Sequence, residues 1–193
     1  MKFSAAVVAF LALAIQASAL SPPAPAVTAA KNEVAGPKDK NSCPSYKAAV
    51  PFLRAWNAKA GDHFYTTNVE EFKNATSPEG GYTDEGSVGR IYETWQPYTT
   101  ALYRMWNKYT SDHFYTTSKW EYDNWGQYNY KREGVAGYVF PQQWCGSVAL
   151  YRGYSVAATD YFYTTDRQEF VNAVRNLGYR DETNNGYFGW IHR

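Results

Sequence analysis

Asp62-His63-Phe64-Tyr65-Thr66-Thr67 decides the reading of this chain because it is written three times. It returns unchanged as Asp112 to Thr117, and with one substitution as Asp160-Tyr161-Phe162-Tyr163-Thr164-Thr165. Upstream of the copies stand Phe52 to Asn57, Leu102 to Asn107 and Leu150 to Ser155, and eight residues separate Arg54, Arg104 and Arg152 from the aspartate that follows. Whole copies recur at 50 and 48 residues, a period that marks repeated supersecondary units sharing one core.

Each copy begins with a short aromatic-rich strand, crosses four loop residues (58–61, 108–111, 156–159) and returns as the Phe-Tyr-Thr-Thr strand, which is a hairpin pattern. Asn68, Ser118 or Asp166 follows, with Glu71, Glu121 or Glu169 three residues later. That spacing predicts a capped helix start in which the glutamate reaches back to the cap's own amide. A second hairpin-like pair is expected after the helix, marked by Glu85-Gly86, Glu133-Gly134 and Glu182-Thr183. Gly89, Gly137 and Gly186 then precede apolar stretches. The expected fold is mostly β and β-trefoil-like, with three four-stranded repeats that each carry a short helix. A closed barrel removes exposed strand edges, and the apolar tail at Trp190-Ile191 favours closure over a row of stacked units.

The repeats span about 51–97, 101–147 and 149–193 within a single domain expected over 43–193. Ahead of it, residues 1–19 read as a secretory signal peptide: Lys2, an apolar run from Phe3 to Ile15, and Ala17-Ser18-Ala19. Residues 20–42 read as a flexible leader without an apolar face. The expected location is therefore secreted and extracellular, with no later segment approaching the ~20 apolar residues of a membrane span. Cys43 and Cys145, the two cysteines of the chain, are expected to pair in an oxidising compartment. Asn74-Ala75-Thr76 is a glycosylation sequon. Without Lys2 the chain carries 18 basic and 18 acidic side chains and no basic stripe, which argues against nucleic acid as a partner.

The Tyr-Arg-x-x-Asn pattern, then Asp-His-Phe-Tyr-Thr-Thr, then Gly-Tyr and Glu-Gly, closely resembles a repeat family of unknown function from secreted fungal and bacterial proteins. The resemblance covers Phe52 to Trp190. In bacteria such repeats look like appendages on enzymes acting on cell walls or carbohydrates, which implies a binding module. The resemblance brings no site residues with it. Copy three departs from the pattern at Gly153, Ser155 and Tyr161.

The residues themselves leave two readings open. Arg54, Arg104 and Arg152 are expected to stack and ion-pair between copies, with Asp62, Asp112 and Asp160 or with Glu85, Glu133 and Glu182; alternatively they reach a ligand. Strand alternation puts Phe64 and Thr66 on one face, and His63 and Tyr65 on the other. The phenylalanines are core candidates. The opposite face is either hydrogen-bonded packing or a set of aromatic planes with polar tips suited to sugars. The candidate ligand residues are Trp56, Asp62, His63, Tyr65, Trp106, Asp112, His113, Tyr115, Tyr161 and Tyr163. No metal, cofactor or catalytic motif accompanies them. The expected function is a non-catalytic, lectin-like module for glycan or cell-wall polysaccharide. A secreted cell-wall hydrolase, or an effector or inhibitor with a protein partner, is the alternative.

Overall fold

The computed structural model describes residues 35–183 and 188–193. The expected signal peptide, the expected leader up to residue 34 and Gly186 lie outside the described residues. The fold is mostly β. Copy one contributes β1 (Ala49–Asn57), β2 (Asp62–Thr66), α1 (Val69–Ala75) and β3 (Thr83–Tyr92). Copy two contributes β4 (Thr100–Asn107), β5 (Asp112–Thr116), α2 (Lys119–Asn124) and β6 (Tyr130–Val139). Copy three contributes β7 (Val148–Ser155), β8 (Asp160–Thr164), α3 (Arg167–Asn176), β9 (Tyr179–Asp181) and β10 (Gly189–Ile191).

Sequence explains the hairpins. The Asn57 side chain accepts from the amides of Lys59 and Ala60, and Asn107 accepts from Tyr109. Ser155 retains part of that role by accepting from Ala158. An Asx-type turn thus sets the four-residue loop in copies one and two, with a serine turn in copy three. Asp62, Asp112 and Asp160 then start the returning strands opposite Asn57, Asn107 and Ser155.

The helix starts are capped, but the expected glutamate reach-back does not form. Asn68 Oδ1 accepts from the amides of Glu70 and Glu71, while the Asn68 amide donates to Thr66 Oγ1. Thr66 in turn donates to Glu71 at 2.6 Å. Thr116 and Thr164 stand in the same way between Ser118 and Glu121 and between Asp166 and Glu169. The first threonine of each pair is a relay, and it leaves the glutamate free to face the next copy.

Copies one and two hold three strands rather than four. The predicted second pair is one long strand, because Gly86 (φ +79°) and Gly134 (φ +111°) bend it without reversing it. The register of β3 on β1 shifts twice at that stretch, as bulges do. The strands lie in open sheets, six in the order β2-β1-β3-β6-β4-β5 and four around β7. The strand count expected of a trefoil is therefore not met.

The ends of β3, β6 and β10 meet one another. Tyr92 pairs with Tyr138, Phe140 with Trp190, and Arg90 with His192. A Cβ on Gly137 would lie 2.5 Å from Ile91 Cδ1, and one on Gly89 would lie 2.5 Å from the His192 carbonyl. In copy three a Cβ on Gly189 would lie 3.4 Å from Val139 Cγ2. The core around these strands includes Phe52, Leu102 and Leu150, all 1% exposed or less. Phe64, Phe114 and Phe162 are buried as expected.

Cys43 and Cys145 are bonded, with Cα atoms 5.6 Å apart across 102 residues of sequence. For a loop of that size the chain-entropy account gives about 4.7 kcal/mol as an upper figure. The described part of the leader is not free of the domain: a Cβ on Gly36 would fall 2.6 Å from the Trp144 indole nitrogen. No helix among the described residues is long and apolar enough to cross a membrane. Asn74 is exposed on α1, as a glycosylation acceptor must be.

Candidate functional site

Three sets of contacts run from copy to copy, and each returns from the third to the first. At the centre, Tyr115 Oη donates to the Tyr65 carbonyl and accepts from the Tyr65 amide. Tyr163 does the same with Tyr115, and Tyr65 with Tyr163. The three rings lie 5.4 Å apart, edge to face. Burial holds all three phenols well above their usual pKa, so they remain donors. At most 1% exposed, Tyr65, Tyr115 and Tyr163 offer no plane to a ligand, and the packing reading of that face holds for them.

One step along the same strands, Asp62 accepts from the His113 amide and from His113 Nδ1, both at 2.7 Å. Asp160 accepts from the His63 amide at 2.8 Å and from its Nδ1 at 2.7 Å. Tyr82 and Tyr179 hydroxyls complete these carboxylates. In copy three Tyr161 replaces the histidine, so Asp112 accepts from the Tyr161 amide and the Tyr130 hydroxyl but from no imidazole. Oxygens of the three fully buried aspartates lie within 4.8 Å of one another. Burial, then the neighbouring Asp160 and Asp62 carboxylates, push the Asp112 carboxyl well above the usual range. The aspartates, expected as arginine partners or ligand contacts, instead join one copy to the next.

The arginines pair with the helix glutamates of the preceding copy. Arg104 holds Glu71 through two bonds of 2.8 and 3.0 Å, and Arg54 holds Glu169 at 2.9 and 3.1 Å. Arg152 and Glu121 form the buried equivalent. Each guanidinium also stacks on the preceding copy's phenylalanine, 5.3 to 5.4 Å from the ring centre. Of the two expected partner sets, Glu85 and Glu133 are in contact, at 2.9 and 2.8 Å from Arg54 and Arg104 Nε. Burial would raise the Glu71 carboxyl, but hydrogen bonds from Arg104 and Thr66 outweigh it and hold it below the usual range.

What stays open lies beside these joints. Trp56 is half-buried with its ring 4.4 Å from that of His63. His63 Nε2 is 3.7 Å from Glu85, whose side chain is 30% exposed. Trp106, His113 and Glu133 hold the corresponding positions more loosely, with the rings 6.2 Å apart and 3.9 Å between Nε2 and the carboxylate. Glu133 also borders a cleft of about 290 Å³ lined by Thr67, Asn68, Glu71, Arg104 and Val135. In copy three, Tyr154 stacks on Tyr161 at 4.5 Å and both are buried. That position is filled by protein. A larger hollow of about 630 Å³ beside the disulfide shares no lining residue with this cleft.

Of the sequence-predicted site residues, Trp56, Trp106 and His113 are partly exposed, while His63, at 8%, and the others are buried. Glu85 and Glu133 were legible only as arginine partners, because nothing in the spacing shows that the histidine approaches the same carboxylate.

The arginine, aspartate and tyrosine contacts tie the three segments to one another, and two of the segments carry a partly exposed tryptophan beside a histidine. The chain belongs to the family described as domain of unknown function (DUF5648), which matches residues 51–189. No curated protein and no solved structure matches the chain.

Proposed function

We propose that the protein is a secreted, non-catalytic binding module that recognises glycan through two related surface groups, Trp56-His63-Glu85 and Trp106-His113-Glu133. The same reading takes the three copies as one closed, trefoil-like body exported by the signal at residues 1–19. The observation that carries it is the half-buried tryptophan standing over an imidazole whose Nδ1 is locked, with a carboxylate beside its Nε2. A tryptophan plane suits the apolar face of a sugar ring, and the two polar groups suit its hydroxyls. Occurrence of the same group twice favours recognition by several weak contacts over a single asymmetric catalytic centre.

The test is a glycan array with an insoluble-polysaccharide pulldown, comparing native protein with Trp56→Ala, Trp106→Ala and the double variant, each checked for folding by circular dichroism. Native protein is expected on at least one polysaccharide. Loss of either group should weaken retention by about tenfold or more through lost avidity, and loss of both should abolish it. A native protein that ignores every carbohydrate while capturing a purified protein partner would overturn the reading in favour of an effector. Glycan release that depends on one acidic residue would overturn it in favour of a hydrolase.

A further inference from the structure

The segment ahead of β1 is attached to the ring of copies unlike anything inside it. Gly36 lies against the Trp144 indole, the Pro44 carbonyl faces Tyr92 Oη at 3.4 Å, and Tyr46 Oη donates to the Arg193 carbonyl at 2.8 Å. The Tyr46 ring also meets His192 edge-on at 5.2 Å and sits under the Arg90 guanidinium. Residues 35–48 therefore form a strap over the end where the three copies join. Of these described residues none is buried. Their backbone bonds close within the strap, from Ser42 to Asp39, Cys43 to Lys40 and Ala48 to Ser45. By contrast, the tyrosine cycle and the aspartate and arginine joints are built from residues 54–179, and the family match begins only at residue 51. The strap is an addition to a ring that closes without it, and the Cys43–Cys145 bond ties it to the linker between copies two and three.

That bond lies within reach of solvent. Cys43 and Cys145 are both partly exposed and line the hollow of about 630 Å³, whose rim includes the exposed Asp39, Lys40, Gln143 and Gly146. Asp39 and Lys40 carry opposite charges, so the rim does not repel an approaching thiolate. Cys145 stands at φ +57°, in the left-handed region that a side chain disfavours, and Gly146 follows at φ +72°. Exposed disulfides are the ones that thiols exchange with most readily. We infer that the Cys43–Cys145 bond is a reducible latch: an external dithiol opens it in the folded protein, and the strap then leaves the aromatic floor of Tyr92, Phe140 and Trp144 while the ring stays closed. A thiolate of the dithiol attacks one sulfur, the S–S bond breaks, and the other cysteine leaves as a thiolate that takes up a proton. The second thiolate of the reductant displaces the first cysteine, so two electrons pass to the protein and the reductant ends as a disulfide.

The test treats the oxidised protein with dithiothreitol in the absence of denaturant and follows the bond by alkylation and mass spectrometry. Its loss is expected to speed up in proportion to the reductant concentration. In the reduced protein the amides of Tyr65, Tyr115 and Tyr163 should keep their protection from hydrogen exchange. Trypsin cleavage after Lys47, which lies between the disulfide and β1, should quicken about tenfold or more on reduction, because the strap now opens locally. A bond that opens only at the rate of global unfolding, whatever the reductant concentration, would overturn the inference. A reduced protein whose three tyrosine amides exchange without protection would overturn it too, since the bond would then be a staple of the whole fold. Unchanged cleavage at Lys47 would do the same by showing that the strap holds without the bond.

Discussion

Tyr65 and Asp112 show what residue types do here that their spacing does not reveal. Alternation along a strand assigns two faces, and the phenylalanine face was legible as core from that pattern alone. The tyrosine face was not, because alternation cannot say that β2, β5 and β8 lie innermost, where both faces meet protein. The stacked arginine was likewise readable, but its glutamate partner sits in another copy and carries a spacing that also reads as a capping box. Asp112 supplies the prediction at this scale. Its folded carboxyl keeps a proton that an unfolded aspartate releases near its ordinary pKa of about 3.9. The folded state binds the extra proton, so this contribution is complete below about pH 4 and drains as pH rises toward the elevated value. Asp112→Asn removes the titration while keeping the shape. The melting temperature of the variant is expected to gain on native protein as pH rises above about 4, as scanned by calorimetry. Parallel curves would show that the carboxyl is ionised throughout.

At the scale of elements, the hairpins and helix starts followed from sequence because Asn57, Asn107, Asn68, Ser118 and Asp166 act on neighbouring amides. The third strand did not. Glu-Gly reads as a turn, and whether a glycine with positive φ reverses a chain or only bulges it depends on the strand beside it. The glycines further along have a different use, which is close approach between copies. Gly137→Ala should cost about 1–3 kcal/mol, since its Cβ meets Ile91 at 2.5 Å and the Tyr92 carbonyl at 2.9 Å. Gly126→Ala meets nothing within 4 Å and has no positive φ, so its effect should be within about 0.5 kcal/mol or slightly stabilising. Urea titration of the two variants checks the contrast. Equal effects would mean that the junction of β3, β6 and β10 is not tightly packed.

For the whole molecule, the triplication and the disulfide could be read from the chain, whereas the order of contact between copies could not. Asp62 to His113, Glu71 to Arg104 and Tyr115 to Tyr65 all link copy one to copy two. The corresponding links from copy three back to copy one connect residues about 100 positions apart and make the array a ring. A repeat row opens one unit at a time from its ends, but a ring cannot release one copy without breaking the tyrosine cycle that all three share. Native-state hydrogen exchange reads this directly through the amides of Tyr65, Tyr115 and Tyr163, each donated to a neighbouring tyrosine hydroxyl. The three amides are expected to exchange only by global unfolding, with one common free energy that matches the denaturant value. Earlier exchange of one of them, with the other two still protected, would contradict the closed arrangement.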